Sequence, residues 1–229
     1  MQNNNIYCLY DANRVNDFST EMLDSHYWQE NYAIVGSAQG RGTTWFVQYQ
    51  QQQWVLRHYY RGGMIGKIVD DKYFYTNQLA TRAAREFELL KILQTLNLPA
   101  PNPIAYRVIR KGFFYQADLL SERIVNAEDL VAKLSTSTIS DELWQKIGAT
   151  IKKFHLHGIY HHDLNAHNIL IDRHNKVWLI DFDQGEQRKV AGNWQQSNMA
   201  RLRRSFNKEQ QRLANFHWQE SHWVTLMQG

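Results

Sequence analysis

Residues 160–186 read YHHDLNAHNILIDRHNKVWLIDFDQGE, and this stretch restricts the fold more than any other. Two apolar runs, NILID and VWLID, flank the polar turn RHNK, which predicts a β-hairpin. Around the hairpin stand Asp163, Asn168, Asp181 and four histidines. Polar groups of this kind are costly to bury unless they are paired or have a task. The 13 residues from Asn168 to Asp181 let a hairpin return its far end beside its start. The apolar runs then act as ribs that fix the polar side chains.

The rest of the chain divides around this segment. At 229 residues and 43% hydrophobic, it can bury a sizeable core as one domain or as two joined lobes. Between Asn31 and Tyr60 the sequence predicts a strand, the turn GSAQGRGTT, and the strands WFVQY and WVLRHYY. LATRAAREFELLKILQTL, residues 79–96, has helical periodicity. All three prolines follow in NLPAPNPIAY, so the helix stops there and leads to the strands AYRVI and FFYQADLL. Farther on, Ser140 caps a helix whose apolar stripe is Leu143, Ile147, Ile151 and Phe154, up to Gly158. The expected fold is α+β: a small antiparallel-sheet lobe with one helix (about 1–120) and a mostly helical lobe (about 121–229).

Charge and cysteine content narrow the setting. The net charge is +4, but residues 183–212 hold seven basic side chains against three acidic ones, which suits an anionic partner or a solvated helix face. The single cysteine, Cys8, cannot form an intrachain disulfide, and MQNNNIYCLYDANRV has no basic n-region or apolar h-region. The expectation is a cytoplasmic chain whose membrane contact, if any, is at the surface.

HHDLNAHN fits the pattern H-x-D-L-x-x-x-N of the kinase catalytic loop. In that pattern Asp163 accepts the proton of the acceptor hydroxyl and Asn168 holds a magnesium ion, while Asp181-Phe182-Asp183 stands where kinases have D-F-G. Asn168 and Asp181 are oxygen ligands and suit Mg2+. A rival reading groups His155, His157, His161, His162 and His167 as a zinc cluster, although His155 and His157 do not share a helix face. His161 is expected to pack beside Asp181.

Three supports lie upstream. Gly36, Gly40 and Gly42 form either a phosphate cradle or a plain hairpin turn. Alternation places Val55, Arg57 and Tyr59 on one strand face, with Arg57 where kinases carry the lysine of V-A-I-K and Val55 where they roof adenine. Arginine there is a departure, because a planar fork is not a point charge, and His58 or Lys67 are alternatives. On the helix, Glu86 falls beside the apolar stripe and Glu88 does not, so Glu86 is the expected partner of Arg57.

These elements resemble the protein-kinase-like superfamily over nearly the whole chain. Asp183 in place of glycine and the absence of an A-P-E segment after it bring the sequence nearer the small-molecule and atypical branches. WVLRHYYRGGMIGK, REFELL, NLPAPNPIAYRV, DLLSERI and NMARLRRSF, in this order, resemble the 3-deoxy-D-manno-octulosonic acid (Kdo) kinases of Gram-negative bacteria. The resemblance implies a single kinase-like domain, ATP as donor, and the 4-hydroxyl of a Kdo–lipid A precursor as acceptor. It also implies a peripheral place on the cytoplasmic face of the inner membrane, with the membrane surface rather than nucleic acid as partner. Ser121, Glu122 and Arg123 would then form the hinge that meets adenine, and Arg201, Arg203 and Arg204 would face the anionic glycolipid with the RGGMIG loop. A kinase of another small alcohol and a nucleotide-binding scaffold without turnover are the alternatives.

Overall fold

The computed structural model describes residues 2–3, 5–39, 42–60 and 71–229. It consists of two compact units, one formed by Met1–Lys91 with Pro101–Arg123 and the other by Ile92–Ala100 with Ile124–Gly229.

The first unit is built on an antiparallel sheet. Its strands are β1 (Gln2–Asn3), β2 (Ile6–Tyr10), β3 (Ile34–Gln39), β4 (Thr43–Tyr49), β5 (Gln52–His58), β6 (Tyr73–Phe74), β7 (Pro103–Lys111) and β8 (Phe114–Glu122). They run in the order β1-β2-β7-β8-β5-β4-β3, with β6 added on β8. One face packs on a core of Cys8, Phe18, Met22, Leu23, Trp28, Trp54 and Leu56. That core includes a short helix, α1 (Ser25–Glu30), capped by Asp24, and a 3-10 turn at Thr20–Leu23. The sheet therefore has eight strands, more than the small sheet expected, and the long helix has company. Only Cys8 of β2 is buried, so the alternation is too short to read; pairing with β7, from Ile6↔Ile109 to Tyr10↔Ala105, makes the strand.

Helix α2 (Arg82–Thr95) starts later than its periodicity suggests, because the side chains of Asn77 and Thr81 tie residues 77–81 into turns. It stops at Asn97, whose backbone is left-handed (φ 51°), with Leu98 N–H donating to the Leu93 carbonyl at 2.9 Å.

The second unit is mostly helical: α3 (Leu130–Thr136), α4 (Asp141–Leu156), α5 (Gly192–Arg212) and α6 (Glu220–Met227). Ser140 Oγ accepts from Leu143 N–H as the sequence predicts, and Leu143, Ile147, Ile151 and Phe154 are buried. Past α4, Gly158 (φ 73°) lets the chain pass the carbonyl of Arg188, which a Cβ would meet at 2.1 Å. The hairpin expected over 169–181 is β11 (Ile169–Asp172) against β12 (Val177–Leu179), joined by β9 (Ala127–Asp129). Two short strands, β10 (Ile159–Tyr160) and β13 (Glu186–Gln187), pair beside it.

Candidate active site

In the first unit, Arg57 and Glu86 meet as the sequence predicts. Glu86 is 3% exposed and its Oε2 accepts from an Arg57 amino group and, at 2.6 Å, from the Tyr59 hydroxyl. The Arg57 guanidinium also lies over the Tyr59 ring, 4.9 Å from its centre. Burial first, then the charge of Glu86, pushes the Tyr59 hydroxyl well above its ordinary range, so it stays a neutral donor. Glu88 instead pairs with Lys91 at the surface. His58 points to the opposite sheet face, where Nδ1 is 2.7 Å from Asp118 and Nε2 is 3.5 Å from Asp71, and Arg107 holds the other Asp118 oxygen at 2.8 Å. It does not share a face with Arg57; Lys67 and the RGGMIG loop lie outside the described residues.

The residues expected at the nucleotide have partners of their own within this unit. The backbone N–H of Glu122 donates to the Asn102 carbonyl and that of Arg123 to the Gln53 carbonyl, both at 2.8 Å, so these hinge donors are held within the unit. Glu122 bonds Asn102 through its side chain, and the Arg123 guanidinium lies over Phe46, 4.1 Å from the ring centre. Ser121 pairs with Val55 across β8 and β5. Two of the three glycines have a packing reason: a Cβ on Gly36 would sit 3.2 Å from the Phe46 ring, and one on Gly42 would sit 2.0 Å from that of Tyr60. Gly40 lies outside the described residues.

The second unit carries the loop. His161, 2% exposed, accepts at Nδ1 from Asp163 N–H (3.2 Å), so its proton is on Nε2, which donates to the Ile180 carbonyl at 2.9 Å. Burial holds its pKa below the ordinary value, against the Ile180 bond and the charges of Asp181 and Asp163. A neutral ring thus joins the peptides next to both aspartates, and it lies tilted against buried Phe182, ring centres 4.8 Å apart. Asp181 adopts a left-handed backbone (φ 61°), a conformation that costs a non-glycine residue on the order of 1 kcal/mol and is tolerated by aspartate. Asn168 donates from Nδ2 to the Asp163 carbonyl (2.9 Å), and its own carbonyl accepts from Ile180 N–H (3.0 Å). The amide nitrogen is thereby spent on the loop, and the side-chain oxygen is the atom that could hold a cation.

Helix α5 supports this loop in a way the sequence did not announce. The buried Asn198 side chain clamps both backbone groups of His161, donating to its carbonyl at 2.8 Å and accepting from its N–H at 3.3 Å. Ser205 Oγ accepts from Ala166 N–H at 3.0 Å, and Arg201 bonds Asp163 Oδ1 at 2.7 Å. The three arginines expected to act as one cluster are parted. Two residues of helix turn Arg203 about 160° away from Arg201. There it pairs with Glu220 and lies over Trp223, while Arg204 is exposed one turn along from Arg201.

The histidines do not gather. His155 faces Asn198, His157 bonds the Lys153 carbonyl, His162 lies edge-on to Tyr160, and His167 stands between Asp129 and Glu209. Among the described residues no three His, Cys, Asp or Glu side chains form a group that could hold a metal. The zinc reading has no site there. An amide oxygen and one carboxylate instead fit a hard cation that keeps several waters.

A sheet unit with an arginine paired to a buried glutamate and a helical unit with H-x-D-L-x-x-x-N, a hairpin and a returning aspartate together define an ATP-dependent phosphotransferase. The sequence profile of the Lipopolysaccharide kinase (Kdo/WaaP) family matches residues 25–229. The chain belongs to that family. It is 49% identical over 220 residues to the 3-deoxy-D-manno-octulosonic acid kinase of Vibrio vulnificus (strain CMCP6), covering 96% of this chain and 92% of that one. The protein of the same name from Haemophilus influenzae (strain PittGG) is 44% identical over 98% of this chain and 96% of its own. A looser likeness to a solved structure, the Cydia pomonella granulovirus kinase PK-1, has 14% identity and a TM-score of 0.48. It covers 72% of this chain and 56% of that one, and adds nothing to this assignment.

Proposed function

We propose that the chain transfers the γ-phosphoryl group of ATP to the 4-hydroxyl of the Kdo sugar on a Kdo–lipid A precursor, a step of lipopolysaccharide inner-core synthesis. The observation that carries the reading is the identity of 49% over nearly the full chain with a protein named as the kinase of that sugar. Asp163 takes the hydroxyl proton. Asn168 and Asp181 would hold Mg2+, which would offset the negative charge of the nucleotide phosphates. Arg57, oriented by Glu86 and Tyr59, contacts the nucleotide phosphates, with Val55 and the segment Ser121 to Arg123, through groups other than the two N–H donors already bonded, toward the base and Gly36, Gly40 and Gly42 toward the phosphates. Arg201 and Arg204 meet the anionic acceptor.

Among the described residues no helix is long and apolar enough to cross a membrane. Peripheral attachment to the cytoplasmic face of the inner membrane fits an enzyme whose acceptor is a lipid. The test is transfer from γ-labelled ATP to the precursor with and without Kdo: label is expected on the first alone. Equal labelling of both, or labelling of an aminoglycoside in preference, overturns the acceptor assignment.

A further inference from the structure

The contact between Arg201 and Asp163 is more than an incidental surface pair. Residues 198, 201, 205 and 209 are spaced three and four apart, so they form one stripe of α5. In order along that stripe, Asn198 clamps His161, Arg201 bonds Asp163, Ser205 accepts from Ala166, and buried Glu209 stands 3.5 Å from His167. The helix is held in register on the loop by the turns on either side of Arg201, and this sets the guanidinium on the base. Both side chains are 44% exposed, so the pair adds little to folding and is open to exchange with a ligand. Among the described residues Arg201 is the one cation within ion-pair range of Asp163.

An acceptor that presents its hydroxyl to Asp163 must also meet this guanidinium. Arginine carries five N–H donors in a planar fork that takes a carboxylate two at a time. Asp163 uses one amino group, Nη1, and leaves the fork able to bridge to a second anion. We propose that Arg201 selects an acidic acceptor, bridging Asp163 and a sugar carboxylate that lies near the reacting hydroxyl. The proposal rests on the Kdo reading above: in that sugar the acid carbon is three bonds from the carbon bearing the 4-hydroxyl, within the span of one guanidinium. Arg203, already held by Glu220 on another side of the helix, has no part in it.

The test is a binding titration of the full chain, loaded with a non-hydrolysable ATP analogue and magnesium. The two ligands are a Kdo–lipid A precursor in detergent micelles and the same precursor with the Kdo carboxylate converted to its methyl ester. The wild type should prefer the acid by about 10- to 100-fold, the range for a hydrogen bond to a charged group. Arg201→Gln should lose most of that preference, Arg201→Lys should keep part of it, and Arg203→Gln should keep all of it. Equal binding of acid and ester by the wild type, or a full preference in Arg201→Gln, overturns the proposal. So does an equal loss in Arg203→Gln, which would reveal diffuse charge. Failure of the wild type to bind either ligand would overturn the acceptor reading itself.

Discussion

The two units hold their polar residues by opposite means. In the first, charge is set against charge: Glu86 is spent on Arg57 and Tyr59, and Asp118 on Arg107 and His58. In the second, neutral groups fix the backbone. His161, Asn198, Asn165 and Ser205 hold the peptides around Asp163 and Asp181, while the Asp163 carboxylate stays half exposed. Charges buried against each other belong to the folded architecture, and removing one leaves its partner stranded. Carboxylates oriented through their backbone can be removed with little harm to the fold. The contrast teaches where substitutions should cost stability and where they should cost activity alone.

The largest break should come at Asp163. Asp163→Asn is expected to lower kcat by about 10²- to 10⁴-fold, the usual contribution of a positioned base. Its melting temperature and nucleotide affinity should be unchanged; a matching loss of stability would erase the contrast. Next is Glu86→Ala, which removes the carboxylate that accepts from Arg57 and from the buried Tyr59 hydroxyl and should destabilise the chain by about 1–3 kcal/mol in denaturant unfolding. Adding Arg57→Ala should cost little more, because the two act as a unit; additive losses would show that they do not.

How much of this was legible in the sequence depended on how far apart the contacting residues lie. The Asp163–Asn168–Asp181 arrangement was readable because loop and hairpin are continuous. The meeting of Arg57 with Glu86 followed from two regular periods, a strand's alternation and a helix's stripe, each of which points a side chain at the other. Asn198 left no such mark. In NMARLRRSF it reads as one more polar residue on a basic helix, and its partner His161 lies 37 residues away. The hinge donors escaped for a different reason: the register of β8 with its neighbours, which no local pattern encodes, decides that Glu122 and Arg123 turn their N–H groups inward.

Asn198 therefore sharpens the comparison. Asn198→Ala removes no charge and touches no substrate, yet it frees the backbone of His161. A loss of about 10- to 100-fold in activity, with a higher magnesium requirement, is expected, as for a residue that orients a ligand from behind. Unchanged magnesium dependence would show that the clamp does not matter.

The smallest effects concern pH, and here the units differ in sign. For His58, burial favours the neutral ring, but the bond and charge of Asp118 and the charge of Asp71 outweigh it and raise the pKa. That stabilisation is complete below about pH 6.5 and fades as pH rises through the raised value. For His161 the folded value is lowered, so stability is present above about pH 6.5 and is lost as pH falls toward the lowered value. Melting temperatures from pH 5 to 9 should fall at both ends, and His58→Gln should flatten the alkaline side alone. A flattened acid side in that variant would contradict the assignment.

The central claim is that the loop held by α5 directs phosphate to one hydroxyl of one sugar. Phosphorus–proton correlation by NMR on the purified reaction product tests it directly. The account predicts a cross-peak from the new phosphate to the proton on carbon 4 of Kdo, formed by the wild type and absent with Asp163→Asn. A phosphate on any lipid A hydroxyl, or the same cross-peak at wild-type rate in the variant, would contradict it.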